Sequence, residues 1–294
     1  MKKDPRKALK TPLRYPGGKS RACVKMDPYF PDMGNYVEFR EPFLGGGSVA
    51  IHVSKKYPHL KIWVNDLYEP LVNFWRQLQE NGVELKDNLL DYKSTHNDPD
   101  SARELFNNSK SIINETNSSS LDRAVAFYIV NKCSFSGLTE SSSFSPQASH
   151  SNFSRRGIEK LPGYSEIISN WRISNYSYEY IMTKEMHDDI FMYLDPPYDI
   201  KDNLYGKKGA MHKGFDHDKF AEDCSQSSVS QLISYNSDQL VKDRFTGVQW
   251  NAAEFNLTYT MRSVGEYMKE QQTRKELLLF NYEKTLESME VCTG

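Results

Sequence analysis

Cysteines are few in this sequence, and long apolar runs are absent. The four cysteines (Cys23, Cys133, Cys224 and Cys292) lie far apart and form no Cys-x-x-Cys pair, which argues against a disulfide framework and a zinc site. No apolar stretch reaches membrane-spanning length, and residues 1–10 lack the apolar core of a signal peptide. We therefore expect a reduced, cytoplasmic, monomeric protein that binds neither a metal nor a membrane.

A strong net charge is also missing. The formal charge is −2 over 294 residues, so the chain as a whole is not a basic nucleic-acid binder. The balance is uneven, however, because residues 1–25 contain nine lysines and arginines against the single acid Asp4. Such a block is a solvated tail unless it borders a site, and Lys10 and Arg14 then become candidates for a nucleic-acid contact.

A phosphate-binding P-loop is excluded as well. Gly18-Lys19-Ser20 matches the end of that motif, but Leu13 stands where its first glycine is needed, and no apolar strand precedes it. What remains is a flexible Gly-Gly turn that presents the ring of Tyr15 and the cation of Lys19.

A nucleotide-binding βαβ unit begins near residue 36. A strand over residues 36–39 is followed by Gly45-Gly46-Gly47 and a helix, and such glycines let the backbone turn tightly beside a ligand. Glu41 and Phe43 precede the glycines, and Ser48 follows them. This spacing also fits the Gly-x-Gly-x-x-Ala fingerprint of nicotinamide-dependent enzymes, so an oxidoreductase is one alternative.

A second strand over residues 61–66 ends in Asp66, about twenty residues after the glycines. An acid at this place typically accepts hydrogen bonds from ribose hydroxyls. The alternative role for Asp66 is to cap the helix that starts near Glu69. Apolar residues at helical spacing predict a helix over residues 71–78.

Asp195-Pro196-Pro197-Tyr198 follows the apolar run 190–194, which predicts a buried parallel strand. The two prolines make the strand tip a stiff, extended corner. Asp195 and the Pro196 carbonyl can both accept hydrogen bonds, and Tyr198 can stack on a flat heterocycle. Two acceptors that take the hydrogens of an exocyclic amine free its lone pair for attack on an electrophile.

Residues 92–165 are rich in serine and asparagine, with helices expected near residues 101–113 and 121–130. Short polar side chains then alternate with Phe135, Phe144 and Phe153, and two arginines close the segment. This composition suits groove contacts, with arginine on phosphate or guanine and phenylalanine as a wedge. The alternative is a serine-rich hairpin without a ligand.

Strands are predicted again at residues 171–176 and 231–236, with an antiparallel closing pair at 248–255 and 276–282. Residues 203–215 predict a mobile flap, and residues 262–275 predict a basic loop. The tail after residue 283 is polar.

Four motifs in one order resemble the Dam family of DNA adenine-N6 methyltransferases over residues 11–283. They are Tyr15-Pro16-Gly17-Gly18-Lys19, Glu41-Pro42-Phe43-Leu44-Gly45-Gly46-Gly47-Ser48, Asn65-Asp66 and Asp195-Pro196-Pro197-Tyr198. The resemblance implies an α/β, Rossmann-like class I methyltransferase sheet, mostly parallel with an antiparallel terminal pair, plus a helical or hairpin target-recognition insert. It also implies S-adenosylmethionine as methyl donor, S-adenosylhomocysteine as product, and duplex DNA as partner.

By position, the resemblance assigns cofactor contacts to Tyr15, Lys19, Glu41, Phe43, Gly45, Gly47, Ser48, Asp66 and Asp195. Asp195, Pro196, Pro197 and Tyr198 would hold a flipped-out adenine. The DNA contacts would come from Lys10, Arg14, Asn131, Lys132, Ser136, Leu138, Arg155 and Arg156. The layout would be residues 1–91 and 166–294 as the two catalytic halves, with residues 92–165 as the insert.

The recognition segment departs from family members that read GATC. Ser136 replaces an asparagine and Glu140 replaces an arginine, so GATC is an expectation that a different or relaxed site could replace. Three alternatives remain open beside the nicotinamide enzyme: a cytosine-N4 methyltransferase, an RNA adenine methyltransferase, and a DNA-binding module without activity.

Overall fold

A seven-stranded sheet forms the centre of the protein. The computed structural model describes residues 9–15, 18–135, 137, 142–198, 214–258 and 273–284. The strands are β1 (Glu38–Glu41), β2 (Lys61–Asn65), β3 (Trp171–Ser174), β4 (Ile190–Leu194), β5 (Ser230–Asn236), β6 (Asn251–Thr258) and β7 (Thr273–Phe280). Their order across the sheet is β3-β2-β1-β4-β5-β7-β6.

The first five strands are parallel, and β7 runs antiparallel between β5 and β6. β4 is buried along its whole length, as expected for a parallel strand covered by helices on both faces. The chain moves outward from β1 to β2 and β3 and then returns to β4 on the other side of β1. Ligands bind at the carboxyl ends of strands at such a switch point. The predicted α/β class, with a mostly parallel sheet and an antiparallel pair, is confirmed.

The predicted strands are found, most of them with shifted ends. β4 has the predicted bounds, whereas β1 starts two residues later than expected. The amides of Val37 and Glu38 both donate to the carbonyl of Asp189. Because two consecutive amides share one carbonyl there, the regular strand pairing of β1 begins only at Glu38. β6 also starts later, because Trp250 N donates to Gly247 O at 3.0 Å and closes a turn there.

Helices cover both faces of the sheet and build most of the segment between β2 and β3. They are α1 (Cys23–Met26), α2 (Ser48–Lys56), α3 (Glu69–Thr95), α4 (Pro99–Ile112), α5 (Ser120–Cys133), α6 (Pro146–Ser151), α7 (Arg155–Ile158), α8 (Leu161–Ile167), α9 (Tyr178–Thr183), α10 (His217–Gln226) and α11 (Gln239–Arg244). Among the described residues, 3-10 turns lie at Lys19–Arg21, Asp27–Tyr29 and Met33–Asn35.

Helix α3 is far longer than the predicted helix over residues 71–78. It kinks at Asn81, whose φ of −128° is not helical. Gly82 follows the kink, and a Cβ atom there would lie 2.7 Å from Cβ of Ser165. The glycine therefore lets α8 approach α3 closely, and α3 continues past residue 91. The boundaries of the insert stay a prediction.

The insert is more helical than its composition suggested. Helix α5 is capped by Ser119, whose hydroxyl accepts from Asp122 N. The cap lies one residue before Ser120, the cap position of the helix expected over residues 121–130. The expectation that Phe153 acts as a DNA wedge is wrong, because its side chain is 1% exposed and packs edge-on against Tyr128 with ring centres 6.4 Å apart. Phe144 is half-buried and contacts Phe106, whereas Phe135 is exposed.

Residues 203–213 of the predicted flap, residues 262–272 of the predicted basic loop, and the tail after residue 284 lie outside the described residues. Within the described part of the chain, no helix combines the length and the apolar character needed to cross a membrane. The same part contains no group of three or more histidine, cysteine, aspartate or glutamate side chains arranged to hold a metal ion.

Candidate active site

One cavity of about 310 Å³ opens at the carboxyl ends of β1, β2 and β4. It is lined by every residue predicted to bind the cofactor or to act in catalysis: Tyr15, Lys19, Glu41, Phe43, Gly45, Gly47, Ser48, Asp66, Asp195, Pro196, Pro197 and Tyr198. The glycine loop and the Asp195 tip therefore face the same space. A ligand on the loop and a base at the tip could meet in this cavity.

The glycine loop between β1 and α2 requires glycine at two positions. Gly45 and Gly47 have φ values of +48° and +64°, in the left-handed region. A Cβ atom at Gly45 would lie 2.9 Å from the Tyr15 ring, and one at Gly47 would lie 2.7 Å from the Trp75 ring. The loop backbone thus packs tightly between two aromatic side chains and exposes its other side to the cavity.

Asp66 fastens this loop to the end of β2. Its Oδ2 accepts from Gly45 N at 2.9 Å, and its Oδ1 accepts from Tyr68 N at 3.0 Å. Burial raises the pKa of Asp66 to about 6, and the N–H groups of Tyr68 and Gly45 oppose that rise. The residue at the amino-terminal cap position of helix α3 is Tyr68, not Asp66. Asp66 therefore holds the glycine loop rather than serving only as a helix cap.

Glu41 is a second buried carboxyl group beside the loop, 3% exposed. Its Oε2 accepts from Ala50 N at 2.8 Å, at the first turn of α2. Burial raises the pKa of Glu41 well above its ordinary value, and the negative charge of Asp195 raises it further. The cavity therefore holds several acids in a small, poorly solvated space.

Asp195, at the tip of β4, forms an ion pair with Lys19. The Lys19 Nζ atom lies 2.9 Å from Asp195 Oδ1 and donates a further hydrogen bond to the Tyr198 hydroxyl. Burial raises the pKa of Asp195 to about 6, while the Lys19 charge lowers it and the Glu276 charge raises it. The carboxyl group is consequently ionised near neutral pH, which a hydrogen-bond acceptor requires.

Tyr198 is more enclosed than expected for a ring that stacks on a ligand. Its side chain is 8% exposed, and Tyr235 stacks on it with ring centres 6.0 Å apart. The Lys19 ammonium lies 4.7 Å from the ring centre. Stacking of a base on Tyr198 would therefore require a rearrangement of the tip.

Two further features at or beside this cavity were missed from the sequence. Glu276 on β7 is 1% exposed and lies 2.9 Å from Lys19 Nζ. Tyr178 stacks on Phe43 at 5.4 Å and, with Phe215, forms an aromatic wall. An acid at the head of the apolar run Glu276-Leu277-Leu278-Leu279-Phe280 is an unusual pattern that could have marked Glu276.

The insert touches the amino-terminal segment next to this cavity. Asn131 is fully buried, and its side chain accepts from Arg14 N at 2.9 Å and donates to Arg14 O at 2.6 Å and Gly137 O at 2.9 Å. The Arg14 guanidinium donates to the carbonyls of Ser134 and Phe135. We therefore expect Asn131 and Arg14 to shape the recognition loop rather than to contact DNA themselves.

The other predicted DNA contacts differ in exposure. Lys10, Arg155 and Arg156 are exposed. Lys132 is half-buried with its ammonium 5.2 Å from the Tyr128 ring centre, and burial, helped by the nearby Arg14 charge, lowers its pKa to about 7. Ser136 and Leu138 lie outside the described residues.

Comparison with known proteins gives a consistent result. A family model described as D12 class N6 adenine-specific DNA methyltransferase matches residues 15–275. The chain is 26% identical over 202 residues to a type II methyltransferase M.MjaIII of Methanocaldococcus jannaschii, which covers 63% of this chain and 68% of the relative. It is 24% identical over 246 residues to the type II methyltransferase M1.LlaDCHI of Lactococcus lactis subsp. cremoris, covering 79% and 83%. A third relative, the type II methyltransferase M.CviBI of Paramecium bursaria Chlorella virus NC1A, is 24% identical over 203 residues, covering 67% and 72%.

Proposed function

Because this chain belongs to the D12 class of N6 adenine-specific DNA methyltransferases, we propose that it takes its methyl group from S-adenosylmethionine and acts on a flipped-out adenine of duplex DNA. The observation that carries the proposal is the shared cavity of the glycine loop and the Asp195 tip. The family match also favours methyl transfer over the nicotinamide-dependent alternative, and DNA adenine over cytosine or RNA.

The cavity has groups that fit an adenosyl ligand with a positive charge. The buried Asp66 carboxylate would accept from the ribose hydroxyls, as acids at this place of a βαβ unit do. The aromatic wall of Phe43 and Tyr178 would cover the adenine ring of the donor. Glu41 places a further carboxyl group beside the glycine loop. When bound, the donor supplies an electrophilic methyl group.

Asp195 and the Pro196 carbonyl would hold the amino group of the target adenine. As acceptors for its two N–H bonds they favour the pyramidal nitrogen of the transition state over the planar ground state. Asp195 can also take the proton that the amine loses after transfer, because its pKa of about 6 leaves it ionised at neutral pH. Enclosure of the tip excludes water, which strengthens these contacts.

The DNA would approach on the side of the insert and the exposed arginines Arg155 and Arg156. Extrusion of the adenine costs a few kcal/mol, which base-edge hydrogen bonds in the cavity offset. GATC remains the expected site from the family, with a different or relaxed site as the alternative that Ser136 and Glu140 raise.

The test is methyl transfer from labelled S-adenosylmethionine to unmethylated duplex DNA, followed by digestion to nucleosides. We expect N6-methyladenine, and modified-base sequencing would give its context. Asp195→Ala should lower the transfer rate about 1,000-fold, as loss of one transition-state contact does, with cofactor binding largely retained. The matched control is Asp189→Ala, an exposed acid at the other end of β4, which should keep full activity. N4-methylcytosine as product, or full activity of Asp195→Ala, would contradict the proposal.

A further inference from the structure

Glu276 lies beyond the four motifs and one residue past the segment that the family model matches. It belongs to β7, where it pairs with Asn236 of the antiparallel strand β5. Its side chain is among the most deeply buried charged groups of the described residues, at 1% exposed. A buried carboxylate is costly unless it is paired and hydrogen-bonded, so its partners define what it does.

Three polar contacts converge on its Oε1 atom. Lys19 Nζ lies 2.9 Å from this atom, Ser234 Oγ donates to it at 2.5 Å, and the Tyr198 hydroxyl donates to it as well. Lys19 Nζ is at the same time 2.9 Å from Asp195 Oδ1. One lysine is therefore shared between the buried carboxyl group of Glu276 and the half-buried one of Asp195, and Glu276 contacts both this cation and the hydroxyl of Tyr198.

We propose that Glu276 is a positioning residue for methyl transfer: it holds Lys19 midway between two carboxylates and anchors Tyr198, so that Asp195 keeps the geometry of an acceptor. This inference rests on the proposed role of Asp195. Without Glu276, Lys19 would lose the carboxylate on its other side and could move across Asp195 toward the oxygens that the amine needs. The Tyr198 hydroxyl would lose its hydrogen bond to Glu276 Oε1, and the β4 tip would lose this link to β7.

The arrangement also balances charge around Asp195. Lys19 favours the ionised carboxylate, whereas Glu276 opposes it. The other titratable groups that face Asp195 are Tyr198, Glu41 and Tyr193, on the tip itself, on β1 and on β4. Removal of the Glu276 charge and removal of the Lys19 charge must therefore move the protonation of Asp195 in opposite directions.

The experiment is the single-turnover methyl-transfer rate from labelled S-adenosylmethionine to duplex DNA, measured from pH 5 to 9. For the wild type we expect the rate to fall below about pH 6, where Asp195 takes up a proton. Glu276→Gln should shift this acid limb to lower pH and also reduce the plateau rate about tenfold or more, because the tip is misplaced. Lys19→Met should shift the limb to higher pH.

The matched control is Glu254→Gln on the adjacent strand β6. Glu254 lies opposite Leu277, pairs with Lys242 at 2.5 Å, and is exposed to solvent, so its loss removes the same charge from the sheet but not from the cavity. We expect an unchanged pH profile. Thermal unfolding and S-adenosylhomocysteine binding of each variant report whether it is folded.

Lys19→Met removes the cation shared by the buried Glu276 and the half-buried Asp195 and is the variant most at risk of unfolding. The double variant Lys19→Met with Glu276→Gln removes that repulsion, so it should be more stable than Lys19→Met alone and its acid limb should lie at lower pH than that of Lys19→Met. An equal loss of rate at every pH in Glu276→Gln, with the acid limb unmoved, would overturn the inference and leave a purely structural role. Absence of transfer by the wild type would instead refute the proposed function.

Discussion

The catalytic cavity and the recognition insert solve the problem of buried polar groups in different ways. The cavity keeps ionisable side chains inside, with Lys19 at 3% exposure between Asp195 and Glu276. At the junction of the insert with the amino-terminal segment, two neutral side chains, Asn131 and Ser134, are fully buried and bond to main-chain atoms. The first arrangement makes function depend on the protonation of acids, whereas the hydrogen bonds of Asn131 and Ser134 involve no titrating group.

The insert also has exposed charges on its surface, which add a third kind of sensitivity. Arg155 and Arg156 are exposed at the start of α7, where screening by salt is strong. The molecule should thus respond to pH through the cavity, to packing changes through the Asn131 junction, and to ionic strength through the insert surface. Each response can be removed separately by a substitution in its own region.

The largest effect on ligand binding is expected at Asp66, on the cavity side. Asp66→Ala should weaken S-adenosylhomocysteine binding about 100-fold, because the proposed charge-assisted hydrogen bonds to the ribose and the latch on Gly45 would be lost. Since burial raises the pKa of Asp66 to about 6, wild-type affinity should be constant above about pH 7 and fall as the pH drops below about 6, where the acceptor is protonated. Calorimetric titration at several pH values measures both effects.

The control for the pH effect is Asp66→Asn, which keeps the size of the side chain and cannot titrate. As the pH drops, the affinity of Asp66→Asn should fall less steeply than that of the wild type, because Asp66 no longer titrates. The decline caused by titrating groups of the ligand should remain. If the wild type and Asp66→Asn show the same pH dependence, the ionised form of Asp66 is not what binds the ligand, and the comparison between the two regions weakens.

The prediction for the junction is that Asn131→Ala acts on stability and DNA binding but not on pH dependence. Loss of its amide leaves main-chain groups of Arg14 and Gly137 without their partner, which costs about 1–3 kcal/mol of unfolding free energy. DNA affinity should fall about tenfold because the loop after α5 loses its support. Chemical denaturation and DNA titration measure the two quantities, with the exposed Asn107→Ala on α4 as control.

The single-turnover rate at saturating DNA in Asn131→Ala should keep the acid limb of the wild type. A shift of the acid limb would mean that a change at the junction alters the protonation of Asp195. The contrast between the two regions would then be wrong.

The local parts of this design are readable from the sequence, and the long-range parts are not. The β4 strand, the tip after it and the glycine loop follow from apolar runs, prolines and glycines that act on their neighbours. Glu276 acquires its role from Lys19, which lies far away in sequence and meets it only through the antiparallel insertion of β7 between β5 and β6. No periodicity encodes that meeting.

The insert shows the same limit. Its serine- and asparagine-rich composition favours turns when judged locally, but packing against α3 and α5 stabilises helices there, and tertiary contacts override propensity. Asn131 was expected to contact DNA because its type and position suit base reading, whereas its actual partners come from Arg14 on the other side of the junction. Composition could not separate the exposed Phe135 from the buried Phe153.

The smallest effect is expected at the exposed arginines of the insert. Arg156→Ala should weaken DNA binding only a few-fold, equally for different sequences, and should lower the slope of log affinity against log salt by about 1 if the side chain contacts one phosphate. Fluorescence titration with duplex DNA at several salt concentrations measures the slope. Lys61→Ala, an exposed cation at the amino end of β2 and away from the cavity, should leave the slope unchanged. An equal slope in the wild type and Arg156→Ala would mean that DNA does not contact this surface. A loss of affinity that depends on the DNA sequence would mean that Arg156 contacts bases instead.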